Sequence, residues 1–150
     1  MLNSLTKAKA KIGSYAFTTL APNLGDLYGF VIADIPGLIE GASDGKGLGY
    51  KFLRHVSRTK MLLHCISSEH ENPEEVYKTI RQEIGKYDKV MLEKPEVILF
   101  TKSDMVSKSE LQSRIKMFSK THKHVLSLSV IDDASIKKLS DQLVKILGKL

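Results

Sequence analysis

Four short apolar runs, at residues 30–33, 61–66, 97–100 and 125–128, punctuate this chain, and an amphipathic stretch follows each of them. The runs are continuous and rich in Val, Ile and Leu. That is the pattern of parallel strands covered on both faces, not of a half-exposed sheet. The stretches between them carry a helical period. Leu48, Phe52, Leu53 and Val56 form the first such face. Val76, Ile80 and Ile84 form the second, opened by Pro73-Glu74-Glu75, a suitable first helical turn. Ile115 and Phe118 follow Ser109-Glu110-Leu111 in the third. The fourth runs from Ser135, a candidate N-cap, through Ile136, Leu139, Leu143, Ile146 and Leu147. Strand and helix in alternation require right-handed crossovers. The expected fold is therefore α/β, a mostly parallel sheet with helices on both faces. A length of 150 residues suits one domain.

Glycine breaks this regularity. Seven of the ten glycines lie between Gly25 and Gly49. Such a window is either a linker or a loop where backbone approaches a ligand. A linker would be polar and featureless. This window holds the strand-like run Phe30-Val31-Ile32-Ala33 and ends it in Asp34-Ile35-Pro36-Gly37, so the loop reading is preferred.

Ligands of doubly wound sheets bind at the carboxyl ends of the strands. Three polar signals stand there in chain order: Asp34-Ile35-Pro36-Gly37, Thr101-Lys102-Ser103-Asp104 and Ser129-Val130. A carboxylate such as Asp34 can hold Mg²⁺ through its water shell. Gly37 can bring its N–H close to a terminal phosphate, since no side chain blocks the approach. Asp104 can accept two hydrogen bonds from a guanine edge. Adenine lacks that donor pair and would leave a buried carboxylate unmet. Lys102 can lay its aliphatic stem along a base. Taken singly, each signal is a common turn, a helix start with Asp104 as N-cap, or a loop serine. The ordered set, each at a strand end, favours a nucleotide.

These motifs resemble those of the Obg family of translation-factor-class GTPases. The run Tyr15-Ala16-Phe17-Thr18-Thr19-Leu20-Ala21-Pro22-Asn23-Leu24-Gly25 is similar to that family's switch I. Ala33-Asp34-Ile35-Pro36-Gly37-Leu38-Ile39-Glu40-Gly41-Ala42 is similar to its switch II, and Gly45-Lys46-Gly47-Leu48-Gly49-Tyr50-Lys51-Phe52-Leu53-Arg54-His55 to the segment after it. Thr101-Lys102-Ser103-Asp104 resembles the guanine-specificity motif, and Ser129-Val130 the loop that closes over the base. The resemblance implies a P-loop NTPase-like fold, with switch I at about 13–25, switch II at about 34–50 and the base-closing loop at 127–131. It implies GTP or GDP with Mg²⁺ as ligands. Thr19 would sense Mg²⁺ and the γ-phosphate, with Thr18 in reserve. Asp34 would take an outer Mg²⁺ role, Gly37 the γ-phosphate, and Thr101, Lys102, Asp104, Ser129 and Val130 the base. Leu38 stands where many GTPases place a water-orienting glutamine, so hydrolysis should be slow. Thr101 replaces the usual asparagine and should lower affinity. The implied partner is the large ribosomal subunit, through its RNA or protein.

One departure is large. No Gly-x-x-x-x-Gly-Lys-Ser/Thr occurs in the sequence. That loop cradles the phosphates and supplies a lysine and a Mg²⁺ hydroxyl. The resemblance places it just before Leu2-Asn3-Ser4-Leu5-Thr6. The expectation is an incomplete G domain over 1–150, lacking its first strand and P-loop. The missing strand would lie between the strands at 30–33 and 61–66. A five-residue strand carries about ten backbone hydrogen-bonding groups, so the expectation is that the isolated chain is unstable, or rearranged, or an excerpt from a longer protein, and inactive in hydrolysis. The alternatives are a non-hydrolysing pseudo-GTPase or interaction module, and a doubly wound domain for another phosphate ligand.

Composition adds exclusions. An apolar content of 42% and a charged content of 27% are those of a globular chain, not a disordered tail. The net charge of +6 permits a nucleic-acid partner without demanding one. Lone Cys65 lies in an apolar run and is expected to be a buried, inert thiol. No run approaches the ~18 apolar residues that span a bilayer, and the N-terminus lacks an apolar signal core, so a cytoplasmic protein is expected.

Overall fold

The computed structural model describes residues 1–6, 11–12, 23–34, 59–87 and 89–150. The chain divides into two compact units. One comprises Met1–Thr59 with Thr79–Glu93, the other Lys60–Lys78 with Lys94–Leu150. The expected helix through Leu48, Phe52, Leu53 and Val56 lies outside the described residues, as do Thr18, Thr19, Gly37 and Leu38.

The first unit contains α1 (Leu2–Leu5), β1 (Lys11–Ile12), β2 (Asn23–Leu27) and β3 (Phe30–Asp34), and their sheet has the order β1-β2-β3. Both pairings are antiparallel. The run at 30–33 was expected to be a parallel strand covered on both faces. It is instead one arm of a hairpin, and Val31 is 72% exposed. The reason is the Tyr28-Gly29 turn. Leu27 pairs with Phe30, and both residues between them have positive φ, 51° and 88°. That is the two-residue turn whose twist suits a hairpin. The Gly29 N–H donates to Asp26 Oδ1 at 3.3 Å and steadies it. Gly25 is held for a different reason. A Cβ there would sit 2.5 Å from Thr6 Cγ2, and the buried Thr6 hydroxyl is itself bonded to the Leu2 carbonyl at 3.0 Å. Close packing accounts for Gly25, and the turn accounts for Gly29. The last turns of α2 (Pro73–Tyr87) fold with the 3₁₀ turn Lys89–Glu93. Arg81 Nη2 donates to the Leu92 carbonyl at 2.8 Å, and Ile84 and Met91 are buried.

The second unit is the parallel α/β part. Strands β4 (Leu62–Ser67), β5 (Glu96–Thr101) and β6 (Val125–Ser127) pair in the order β4-β5-β6, both pairings parallel. The central strand, β5, is the continuous apolar run. Val97, Ile98, Leu99 and Phe100 are all fully buried, as a strand covered on both faces should be. Strand β4 has a partner on one side only among the described residues, and its burial alternates residue by residue. Ile66, Ile98, Phe100 and Phe118 form one core, with Val76, Tyr77, Leu111 and Ile115 packed against it. Phe100 and Phe118 meet edge to face at 5.3 Å, a favoured aromatic geometry.

The helices of this unit follow their local signals. Helix α3 (Lys108–Phe118) starts one residue earlier than Ser109, because the Ser107 hydroxyl accepts the Glu110 N–H and caps it. Helix α4 (Asp133–Leu147) is capped by Asp132, whose carboxylate accepts the Ala134 N–H at 3.0 Å. The expected cap, Ser135, is already inside the helix. Leu139 and Leu143 bury its apolar face. Cys65 is half-buried rather than buried, and its thiol points to the Leu63 carbonyl at 3.8 Å. No described helix is long and apolar enough to cross a membrane.

Candidate functional site

Beyond the carboxyl ends of the three parallel strands the chain forms three turns, at residues 67–70, 102–106 and 128–132, and backbone bonds tie them together. Ser68 N–H donates to the Thr101 carbonyl at 2.8 Å and Ser103 N–H to that of Leu128 at 3.1 Å. The Thr101 hydroxyl donates to the Ile66 carbonyl at 3.4 Å. Thr101 therefore joins β5 to β4. The chain then turns sharply. Lys102 adopts φ 52°, left-handed for a residue with a side chain, and starts the 3₁₀ turn Ser103–Met105. Holding such a backbone costs on the order of 1–3 kcal/mol, which surrounding structure must offset.

That turn presents Asp104. Its Oδ1 accepts a 2.6 Å hydrogen bond from the Ser129 hydroxyl. Ser129 is buried, and its own N–H donates to the Ser135 hydroxyl at 3.0 Å. A three-residue relay thus runs from helix α4 to Ser129 to Asp104. It fixes one carboxylate oxygen. Oδ2 makes no hydrogen bond among the described residues and stands at an exposed position. The carboxylate is therefore not buried, contrary to expectation. A flat heterocycle docking on it would supply the desolvation that strengthens its hydrogen bonds. Val130, next in the loop, is 44% exposed, and Ile131 is 80% exposed. Both belong to the loop that carries Ser129.

Lys102 does not stand alone. Its ammonium pairs with the Glu69 carboxylate from the turn after β4. That contact, helped by the Ser67 hydroxyl, holds the Glu69 carboxyl below the usual carboxylate range, against burial and the nearby Asp104 charge.

Four expected residues, Thr101, Lys102, Asp104 and Ser129, are thus brought together with Val130 at one edge of one sheet. Asp34 is the last residue of β3, exposed, in the other unit. Thr19, Thr18 and Gly37 lie outside the described residues. Glu69 and the tie of Ser135 to Ser129 carry no signal in the sequence. Ser135 was noticed as a cap, but its tie to Ser129 spans six residues and has no local signature. Among the described residues no group of three or more His, Cys, Asp or Glu side chains could hold a metal ion. An exposed carboxylate at a strand end, with no cluster of ligands around it among the described residues, as at Asp34, fits an ion reached through water.

The model of the family described as 50S ribosome-binding GTPase matches residues 1–102. GTPase Obg of Pelagibacter ubique is 43% identical over 149 residues, covering 96% of this chain and 46% of that protein. GTPase Obg of Brachyspira hyodysenteriae is 46% identical over 128 residues, covering 82% of this chain and 19% of that protein. GTPase Obg of Staphylococcus aureus strain JH9 is 47% identical over 126 residues, with 79% and 29% covered. The chain spans less than half the length of these relatives.

Proposed function

Since the chain belongs to the 50S ribosome-binding GTPase family and is an Obg-type G-domain sequence, we propose that its second unit recognises the base of a guanine nucleotide. The observation that carries this reading is the Asp104 carboxylate, held by Ser129 at 2.6 Å with its other oxygen outward. Guanine offers N1–H and a 2-amino group to such a carboxylate, whereas adenine offers no matching pair. The Lys102 stem gives the base an apolar face, and the Val130 N–H would face the guanine O6.

The phosphate end of the proposal rests on the sequence pattern. Asp34 would hold Mg²⁺ through water, and the ion when bound would neutralise phosphate charge. Thr19 would sense the ion, and Gly37 would offer its N–H to the γ-phosphate. Ordering of the segments around these residues by GTP, and their release afterwards, would be the switch. Leu38 cannot orient water by hydrogen bonding, so hydrolysis is slow. The partner in this reading is the large ribosomal subunit, the setting is cytoplasmic, and the +6 charge is compatible with an RNA surface.

A second reading has one specific observation in its favour. Residues 1–150 contain no Gly-x-x-x-x-Gly-Lys-Ser/Thr. The chain by itself would then bind without hydrolysing, as an interaction module that keeps the switch surface.

The test is fluorescent GDP binding to the chain, with ADP as competitor and Asp104→Asn as control. GDP should be preferred over ADP, and Asp104→Asn should weaken GDP by at least about tenfold, the scale of a lost hydrogen bond to a charged group. Equal competition by ADP and GDP sinks the proposal. Phosphate release in the same samples separates the two readings.

A further inference from the structure

The turn between β4 and α2 carries a side-chain network for which base recognition as described above assigns no role. Glu69 stands in this turn, and its carboxylate meets the Lys102 ammonium. Two contacts from Ser67 fix Glu69. The Ser67 hydroxyl donates to Glu69 Oε2 at 3.3 Å and accepts the Glu69 N–H at 3.4 Å. The backbone on either side is tied down from α3. Arg114 Nη1 donates to the Ser68 carbonyl and, at 2.7 Å, to the His70 carbonyl, while its Nη2 pairs with Glu110. Arg114 is mostly buried, at 12% side-chain exposure. Its guanidinium therefore brackets Glu69 by both neighbouring carbonyls. At the other end, the left-handed turn at Lys102 fixes where the lysine side chain begins.

We infer that Glu69 is a positioning residue for guanine-nucleotide binding, acting through Lys102, with Arg114 setting the turn that carries it. A lysine fixed only at its backbone samples many rotamers. A lysine held at both ends presents its methylene stem in one place. Glu69 thereby makes the stem a ready apolar ledge beside Asp104 before any base arrives, and spares the ligand the entropy of ordering it. The inference rests on the reading of Asp104 and Lys102 as the base-recognition pair. Both partners of the ion pair are well exposed, 59% for Lys102 and 41% for Glu69, so its effect is modest and weakened by salt.

The pH behaviour follows from the lowered Glu69 carboxyl. The contact is fully present above the ordinary carboxylate range. It is lost as pH falls through the depressed value.

The experiment is GDP titration of the full chain at low salt, as wild type, Glu69→Gln, Lys102→Met and the double variant, with Glu69→Asp as the conservative replacement. Glu69→Gln should raise Kd by about two- to fivefold, as expected for an exposed ion pair. Glu69→Asp should restore part of the loss. In the Lys102→Met background, Glu69→Gln should have no further effect. Equal losses in both backgrounds overturn the lysine route while leaving base recognition by Asp104 intact. Absence of GDP binding by the wild type overturns the base-recognition reading itself. Carbon-13 NMR of the Glu69 carboxyl checks the contact without a ligand. Its titration midpoint should rise in Lys102→Met, and an unmoved midpoint overturns the inference.

Discussion

At the residue scale the site depends on hydroxyls more than on charges. Asp104 would be a free surface carboxylate without Ser129, and Ser129 would carry a buried, unpaired N–H without Ser135. Each serine thus fixes the next group along, and the last group fixed, Asp104, is the one proposed to meet the base. Ser129→Ala removes a hydrogen bond to a charged acceptor, a contact of about 1.5–3 kcal/mol. The expected result is weaker GDP binding together with a thermal midpoint lowered by several degrees, about 2–4 °C per kcal/mol lost, both measured by calorimetry. Of these three residues, Asp104 and Ser129 are legible in the sequence, because Ser129 directly follows one apolar run and Asp104 closes the polar tetrad after another. Ser135 is not, because its hydroxyl leaves the helix pattern and reaches back to a turn. Glu69 is equally hidden. A glutamate in a polar turn has no signature, and only the parallel pairing of Ser67 with Thr101 brings it beside Lys102.

At the scale of elements, burial and turn chemistry divide the work. Strand β5 is fully buried over four consecutive residues, and its apolar run announces that in the sequence. Phe100 is the largest of them and packs on Phe118. Phe100→Ala should cost about 3–5 kcal/mol, the usual range for an emptied aromatic site. Urea unfolding followed by far-UV circular dichroism checks this, and loss of less than about 1 kcal/mol would contradict the assignment of this core. Strand β3 teaches the opposite lesson. Its run Phe30-Val31-Ile32-Ala33 looks as apolar as that of β5, yet Val31 is 72% exposed. Periodicity cannot tell a buried parallel strand from a hairpin arm. The signal that could have done so is Tyr28-Gly29, a short turn with glycine at its second position, flanked by residues that can pair. The glycine-rich window is thus partly a packing feature. Gly25 lies under Thr6 and Gly29 makes a turn, so neither needs a ligand to explain it.

At the scale of the whole molecule, the described strands form two three-stranded sheets of different kinds, one antiparallel and one parallel. Hydrogen exchange should reflect this. The amides of residues 98–100, paired on both sides and fully buried, should exchange slowest, and those of β3, paired on one side among the described residues and half-exposed, markedly faster. Nuclear magnetic resonance of the exchanging chain reads both sets at once, and equal protection would contradict the difference in burial. The sequence by itself determined the class of fold and the polar turn after β5, because an apolar run ending in a polar group is a local statement about a strand and its carboxyl end. It also determined the family, because motif order is linear. Tertiary structure decided the rest. It joined Ser135 to Ser129 and Glu69 to Lys102, made residues 30–33 a hairpin arm, and gave Asp104 one fixed oxygen and one free. Those outcomes depend on which segments become neighbours, and neighbourhood across tens of residues is set by strand pairing and helix packing, not by local pattern.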